Sequence, residues 1–228
     1  MAKFNKEILG KVKGSLGEIT FRQHKGKSYL STRPSSFTPG KDEASIARRE
    51  KFRLSIKLAK SIYSIPELKQ IWTADAAPEV LPFNHLMRTN YSMIGSGGIL
   101  TSIIRLATSL GFNVNNPIVT LGPAEIKVNL DAIGNSSGID VLNEPSLKLI
   151  AVVCLGNPSD GTLKKDEFLT FVSEPKVIDI ATPIEFNTVL SDVENQMFAI
   201  YQNRKGFFAV VTLDAAGNVA HYSNTFAG

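Results

Sequence analysis

The sequence predicts an α+β protein: a basic β-hairpin arm, then a small helical module, then an antiparallel β-sandwich. Three observations carry this. Two strand-like runs flank a basic, glycine-containing turn near the N-terminus. Helical periodicity sets in at Asp42 and lapses near Met93. Beyond it, short apolar runs recur between turn residues, with no long amphipathic helix among them. The expected boundaries are 1–41 for the arm, 42–94 for the helical module and 95–228 for the sandwich.

In the arm, Gly10, Gly14 and Gly17 interrupt a basic stretch, and Ile19-Thr20-Phe21-Arg22-Gln23 reads as a strand. His24-Lys25-Gly26-Lys27 supplies the turn, and Ser28 to Arg33 returns. Pro34 and Pro39 end regular pairing. A lone two-stranded hairpin is marginal in water, so this one needs a surface to pack against.

In the helical module Asp42 is suited to cap a helix whose buried stripe is read as Phe52, Ile56, Ala59 and Tyr63, broadened by Leu58 and Ile62. Ser64-Ile65-Pro66-Glu67 has capping-box spacing for a second helix carrying Leu68, Ile71 and Trp72. Phe83 to Met93 reads as a third. Gly95 to Gly98 reads as a linker, and Ile99 to Leu110 is ambiguous between strand and helix.

In the last segment Ile126, Val128 and Leu130 alternate with polar residues, and Leu147 to Leu155 is apolar on both faces, as in a central strand. Phe168 to Val172, Met197 to Tyr201 and Phe207 to Leu213 continue the series. A turn at Asp214 to Asn218 leads into Val219 to Ser223. This spacing fits an immunoglobulin- or fibronectin type III-like sandwich without its disulfide.

The 228 residues are 43% hydrophobic, enough for a packed core, and the single Cys154 excludes an intrachain disulfide framework. No apolar run reaches the ~18 residues of a membrane span, and the first residues lack a signal-peptide core. The expectation is an intracellular product with no membrane partner. Net charge is +4, yet residues 1 to 70 hold 16 of 25 Lys and Arg with 6 of 21 Asp and Glu, a local +10 against −6 for the remainder. Such polarity suits a phosphate backbone or an acidic protein surface.

No catalytic, cofactor or metal motif stands out. Gly10-x-x-x-Gly14-x-x-Gly17 lacks the Lys-Ser/Thr ending and the strand-helix context of a phosphate loop. His24, His85 and His221 have no partner at metal-ligand spacing, and Cys154 lies in an apolar strand, where a thiol is inert. No serine sits in a Gly-x-Ser-x-Gly elbow. Nothing marks a small-molecule substrate.

Ile8-Leu9-Gly10, Gly14-x-x-Gly17, Ile19-Thr20-Phe21-Arg22, Gly26-Lys27, Ser31-Thr32-Arg33-Pro34 and Arg48-Arg49-x-x-Phe52 together resemble an uncharacterised family of bacterial and tailed-phage proteins. Ala216-Gly217-Asn218-Val219 with Tyr222-Ser223 matches the family's ending. The resemblance implies a hairpin, a helical segment and a fibronectin-like domain, and a place in the virion as a capsid-associated, head-tail junction or tail component. It implies no catalytic residues.

The expected function is therefore a non-enzymatic virion structural protein, made in the host cytoplasm. Its partners would be other virion proteins or copies of itself. Phe21, Tyr29 and Leu30 would anchor the arm, with Arg22, Lys25, Lys27 and Arg33 setting its electrostatic fit. The alternative is a nucleic-acid-binding protein using the basic arm and the helix at 42–63, with Arg48, Arg49, Arg53, Lys57 and Lys60 as phosphate contacts. Glycan or host-surface recognition by the sandwich loops ranks third, on fold analogy alone.

Overall fold

The computed structural model describes residues 2–4, 14–24, 27–33, 36, 38–95, 104–108, 111–161 and 165–228, with 2–4, 23 and 24 described by their backbone alone. The chain divides into two compact units, Met1–Ile46 and Ala47–Gly228. The predicted boundary between residues 94 and 95 falls inside the second unit.

The N-terminal unit is an antiparallel sheet. Strands β1 (Ala2–Phe4), β2 (Gly14–Leu16), β3 (Ile19–His24) and β4 (Lys27–Thr32) lie in the order β1-β4-β3-β2. The predicted hairpin is the β3–β4 pair, with Ile19 opposite Thr32 and His24 opposite Lys27. Its turn residues Lys25 and Gly26 lie outside the described residues. The hairpin is not a lone pair, because each of its outer edges acquires a three-residue strand. Gly17, at φ +56°, makes the tight turn from β2 into β3 in a left-handed backbone conformation that residues with a side chain rarely adopt.

Three helices open the second unit: α1 (Glu43–Tyr63, whose first turn belongs to the first unit), α2 (Pro66–Asp75) and α3 (Pro82–Tyr91). Asp42 Oδ2 accepts the Ser45 N–H at 2.9 Å, as its capping role requires. The buried stripe of α1 is Leu54, Ser55, Leu58, Ala59 and Ile62, rotated from the sequence expectation, and Phe52 is 49% exposed. Ser55 disguises the true stripe. Its hydroxyl donates to the Lys51 carbonyl at 2.7 Å, so a polar residue is buried with its hydrogen bond met inside the helix. Before α2 the cap position is Ile65 rather than Ser64, and Pro66 starts the helix where an N–H is not needed. The Ser64 hydroxyl instead donates to the Ser61 carbonyl.

The remaining strands are β5 (Ile118–Leu121), β6 (Glu125–Leu130), β7 (Ser146–Pro158), β8 (Asp166–Val172), β9 (Lys176–Val177), β10 (Ile184–Val189), β11 (Tyr201–Leu213), β12 (Val219–Tyr222) and β13 (Phe226–Ala227). A fourth helix, α4 (Asp192–Ile200), precedes β11. One sheet runs β10-β6-β5. The other runs β12-β11-β7-β8, with β13 also on β11 and β9 also on β7. All the pairings between these strands are antiparallel, with one isolated parallel bridge between Phe112 and Ser223, and with the helices this makes the protein α+β.

Alternation along β7 and β11 divides their side chains between two cores. Ile150 and Val152 of β7, with Phe207, Ala209, Val211 and Leu213 of β11, join Leu54, Leu58, Trp72 and Leu86 of the helices. Leu147, Leu149, Ala151, Val153 and Leu155, with Phe208 and Val210, join Ile126, Val128, Leu130 and Phe186 of the three-stranded sheet. The unit is a three-layer stack of helices, six-stranded sheet and three-stranded sheet. A two-layer sandwich leaves the outer face of each sheet to solvent, whereas here helices cover the larger sheet.

The segment expected as the strand Met197 to Tyr201 is helical up to Ile200. Ser191 and Glu194 form a reciprocal capping box, Ser191 N–H to Glu194 Oε2 at 2.7 Å and Glu194 N–H to Ser191 Oγ at 3.4 Å. Residues 104–108 of the ambiguous segment are irregular, yet Ile104, Leu106 and Ala107 are buried. Side chains satisfy the backbone of Arg105 and Leu106. Trp72 Nε1 donates to the Leu106 carbonyl at 2.7 Å, Thr225 Oγ1 accepts the Leu106 N–H, and the Asn90 amide bonds both the N–H and carbonyl of Arg105.

The two versions of the α1 stripe predict different stabilities. Leu58→Ala removes a fully buried side chain and should cost about 2–5 kcal/mol, whereas Phe52→Ala should cost less than about 1 kcal/mol. Urea unfolding of both variants checks this, and a larger loss for the Phe52 variant would contradict the packing.

Candidate functional site

The sheet register sorts the predicted arm residues onto two faces. Phe21 lies opposite Leu30, and Ile19 is flanked by Leu16 and Thr32, so Leu16, Ile19, Phe21 and Leu30 share one face. Arg22 lies opposite Tyr29, and this second face also carries Ser15, Thr20, Lys27 and Ser31. Tyr29 therefore stands apart from Phe21 and Leu30, with the basic residues. Arg33 follows β4, exposed, and its N–H bonds the Glu18 carbonyl. Lys25 lies outside the described residues.

No side chain of residues 14–46 is buried among those described, although one face of the sheet is apolar. Leu16 is 73% exposed and Ile19 is 37% exposed. The unit carries nine Lys and Arg against four Asp and Glu, a net +5. It is an amphipathic, basic, single-layer sheet.

The basic residues of α1 meet different surroundings. Arg53 bonds Glu50 through Nε and Nη2 at 3.0 and 2.8 Å, and its Nη2 is 3.8 Å from Asp166 Oδ2. Lys57 is half-buried, pairs with Glu167 at 2.8 Å and donates to the Asp166 carbonyl. Two of the five predicted phosphate contacts are thus held by carboxylates of the same chain. Arg48, Arg49 and Lys60 are exposed.

These pairs lie beside a cleft of about 380 Å³ where β7, β8 and β11 run past the helix-side core. Its walls include Cys154, Gly156, Asn157, Asp166, Asn203 and Lys205. Asp166 is buried, and its Oδ2 has no hydrogen-bond partner among the described residues. Burial pushes its carboxyl above the usual range, against the pull of Arg53. Burial also pushes the Cys154 thiol up to about 12, with Asp166 adding to the effect. A thiol held protonated is neither a nucleophile nor a metal ligand at neutral pH.

A second polar cluster gave no signal in the sequence. Glu144 is buried and accepts from His221 Nδ1 at 2.8 Å, from the Asp140 N–H at 3.0 Å and from the Thr212 hydroxyl. Its two main partners lie 68 and 77 positions away, so no local spacing reveals them. The Thr212 hydroxyl bonds the carboxylate and not His221 Nε2. The cluster lacks the nucleophile–base contact of a hydrolytic triad and instead ties the 140–144 turn to β11 and β12. His85 similarly pairs with Asp75 at 2.8 Å, while His24 is described only by its backbone.

Among the described residues, no group of three or more His, Cys, Asp and Glu is placed to hold a metal ion, and no helix is long and apolar enough to cross a membrane. Compared with known proteins, the chain matches no family model and no curated protein.

Two measurements probe these clusters. Iodoacetamide at pH 8 should alkylate native Cys154 at least about 100-fold more slowly than the urea-unfolded chain, and equal rates would contradict the desolvation of this half-buried thiol. Glu144→Gln presents an amide N–H₂ to groups that are themselves donors, and should lower unfolding stability by about 1–3 kcal/mol. An unchanged urea midpoint would show that the cluster contributes nothing.

Proposed function

We propose that this chain is a non-enzymatic structural protein of a tailed-phage particle that assembles through its N-terminal sheet. One observation carries the proposal: the sheet presents an apolar face, Leu16, Ile19, Phe21 and Leu30, and none of its described side chains is buried. A single layer of short strands gains little from hydrophobic burial until a second surface covers it. Arg22, Lys27 and Tyr29 stand on the opposite face, and with Arg33 they give the sheet the positive charge that steers it towards an acidic partner. The partner is another virion protein or a copy of the chain, and the resemblance carried by the N-terminal motifs is what supports a virion location.

In this reading the second unit is the body that the sheet attaches. Its two-sheet half, three antiparallel strands facing six, is the part that agrees with an immunoglobulin- or fibronectin-like domain. The nucleic-acid alternative is weaker, since Arg53 and Lys57 already neutralise Glu50 and Glu167.

Deleting residues 1–41, or introducing Phe21→Asp, should leave a soluble second unit that is missing from purified particles. Both outcomes are read by gel analysis of particles against lysate. Incorporation of either variant at the wild-type level would refute assembly through the sheet.

A further inference from the structure

The three-layer stack separates charge in a way that the linear sequence does not display. The helical layer, residues 47–94, contains eight Lys and Arg against four Asp and Glu, a net +4. Residues 118–145 and 173–200 contain the three-stranded sheet, its connections and α4 on the other side of the six-stranded sheet, together with the two-residue β9 that pairs with β7. They contain two Lys against nine Asp and Glu, a net −7. Because the two cores lie on opposite faces of β7 and β11, these charges, the buried Glu144 apart, lie on opposite sides of one unit.

Each face also presents apolar side chains among its charges. On the helical layer Phe52, Val80 and Leu81 are exposed, as are Lys60, Lys69 and Arg88. On the three-stranded sheet Ile118 and Val189 are 64% and 76% exposed. By strand alternation they share the outward face with Glu185 and with the Glu125–Lys127 ion pair, since Val128 and Phe186 point into the core. Asp131, Glu174 and Asp192 of the same segments are also exposed. Apolar residues within a charged surround are the makings of an interface in which charge sets register and burial supplies affinity.

We infer that the second unit associates with a second copy of this chain head to tail, the basic helical layer of one copy against the acidic sheet layer of the next. Charge complementarity selects this occupant. Like faces repel in a two-fold arrangement, whereas opposite faces attract. The contact joins two different surfaces, so it is heterologous and repeats, closing into a ring or continuing as a filament. This inference does not depend on the virion assignment or on the N-terminal sheet.

The test is sedimentation of the full chain over a concentration series at 0.05 and 0.5 M NaCl. The screening length is roughly 14 Å at the lower salt and about 4 Å at the higher, so exposed charge pairs weaken across this range. Wild type should self-associate at low salt with an apparent dissociation constant at least tenfold smaller than at high salt. Lys60→Glu, Lys69→Glu and Arg88→Glu together should abolish the low-salt association. Asp131→Lys, Glu174→Lys, Glu185→Lys and Asp192→Lys together should do the same. The chain carrying both sets should regain association, which misfolding would not produce, and circular dichroism checks that each variant keeps its fold. A wild-type chain that stays monomeric at low salt overturns the inference. So does association that ignores salt and both charge sets; if Phe21→Asp abolishes that association, it belongs to the N-terminal sheet, whose assembly role then stands alone.

Discussion

Strands β7 and β11 are the structural constraint on which the second unit depends, because neither has a solvent face along most of its length. They run antiparallel from Ser146 opposite Leu213 to Pro158 opposite Tyr201. Between Leu147 and Leu155, and between Phe207 and Leu213, successive apolar side chains point to opposite sides. Hydrophobic groups on both faces need cover on both faces. The helices supply one cover and the three-stranded sheet with α4 the other. Stripe positions Leu54, Leu58 and Ile62 on α1, and Phe186 on β10, are fully buried because they complete these two contacts.

Where the paired strands run beyond both cores, their composition turns polar. Gly156, Asn157, Asn203 and Lys205 line the cleft beside Asp166, and α1 brings Arg53 and Lys57 to the same end. These cations help hold α1 to β8, and the thiol of Cys154 stays protonated beside them. The layering also decides charge. Segments that are separate in sequence but share a side of the sheet sum their charges on one outer face, while the helical segment accumulates the opposite sign. Among the described residues the N-terminal sheet has no second layer within its own unit, and in the proposed reading its apolar face is the surface that docks.

Elements announced by local chemistry were legible. Asp42 starts α1, Pro66 and Pro82 start α2 and α3, and the run around Leu149 to Val153 is the central strand it looks like. Elements that depend on remote partners were not. Ser55 hides a buried stripe because its hydroxyl is satisfied within its own helix. Met197 to Ile200 has strand-like composition, but the Ser191–Glu194 box starts a helix there, and the core beneath accepts Phe198. That box is readable from residue spacing, while the Glu144–His221–Thr212 cluster is not.

The sequence alone determined the α+β composition, the hairpin of the N-terminal sheet, the helix starts and a basic N-terminal third, because capping, turn chemistry and side-chain period act over a few residues. Tertiary structure decided that the helices and sheets of the second unit share two cores, that Phe21 and Leu30 face away from Tyr29, and that Arg53 and Lys57 are paired within the chain. It also turned an apparent division of charge along the chain into a division across a slab. The reason is physical: strand pairing and layer packing bring together residues tens of positions apart, and their charges and burial then add in space rather than in sequence.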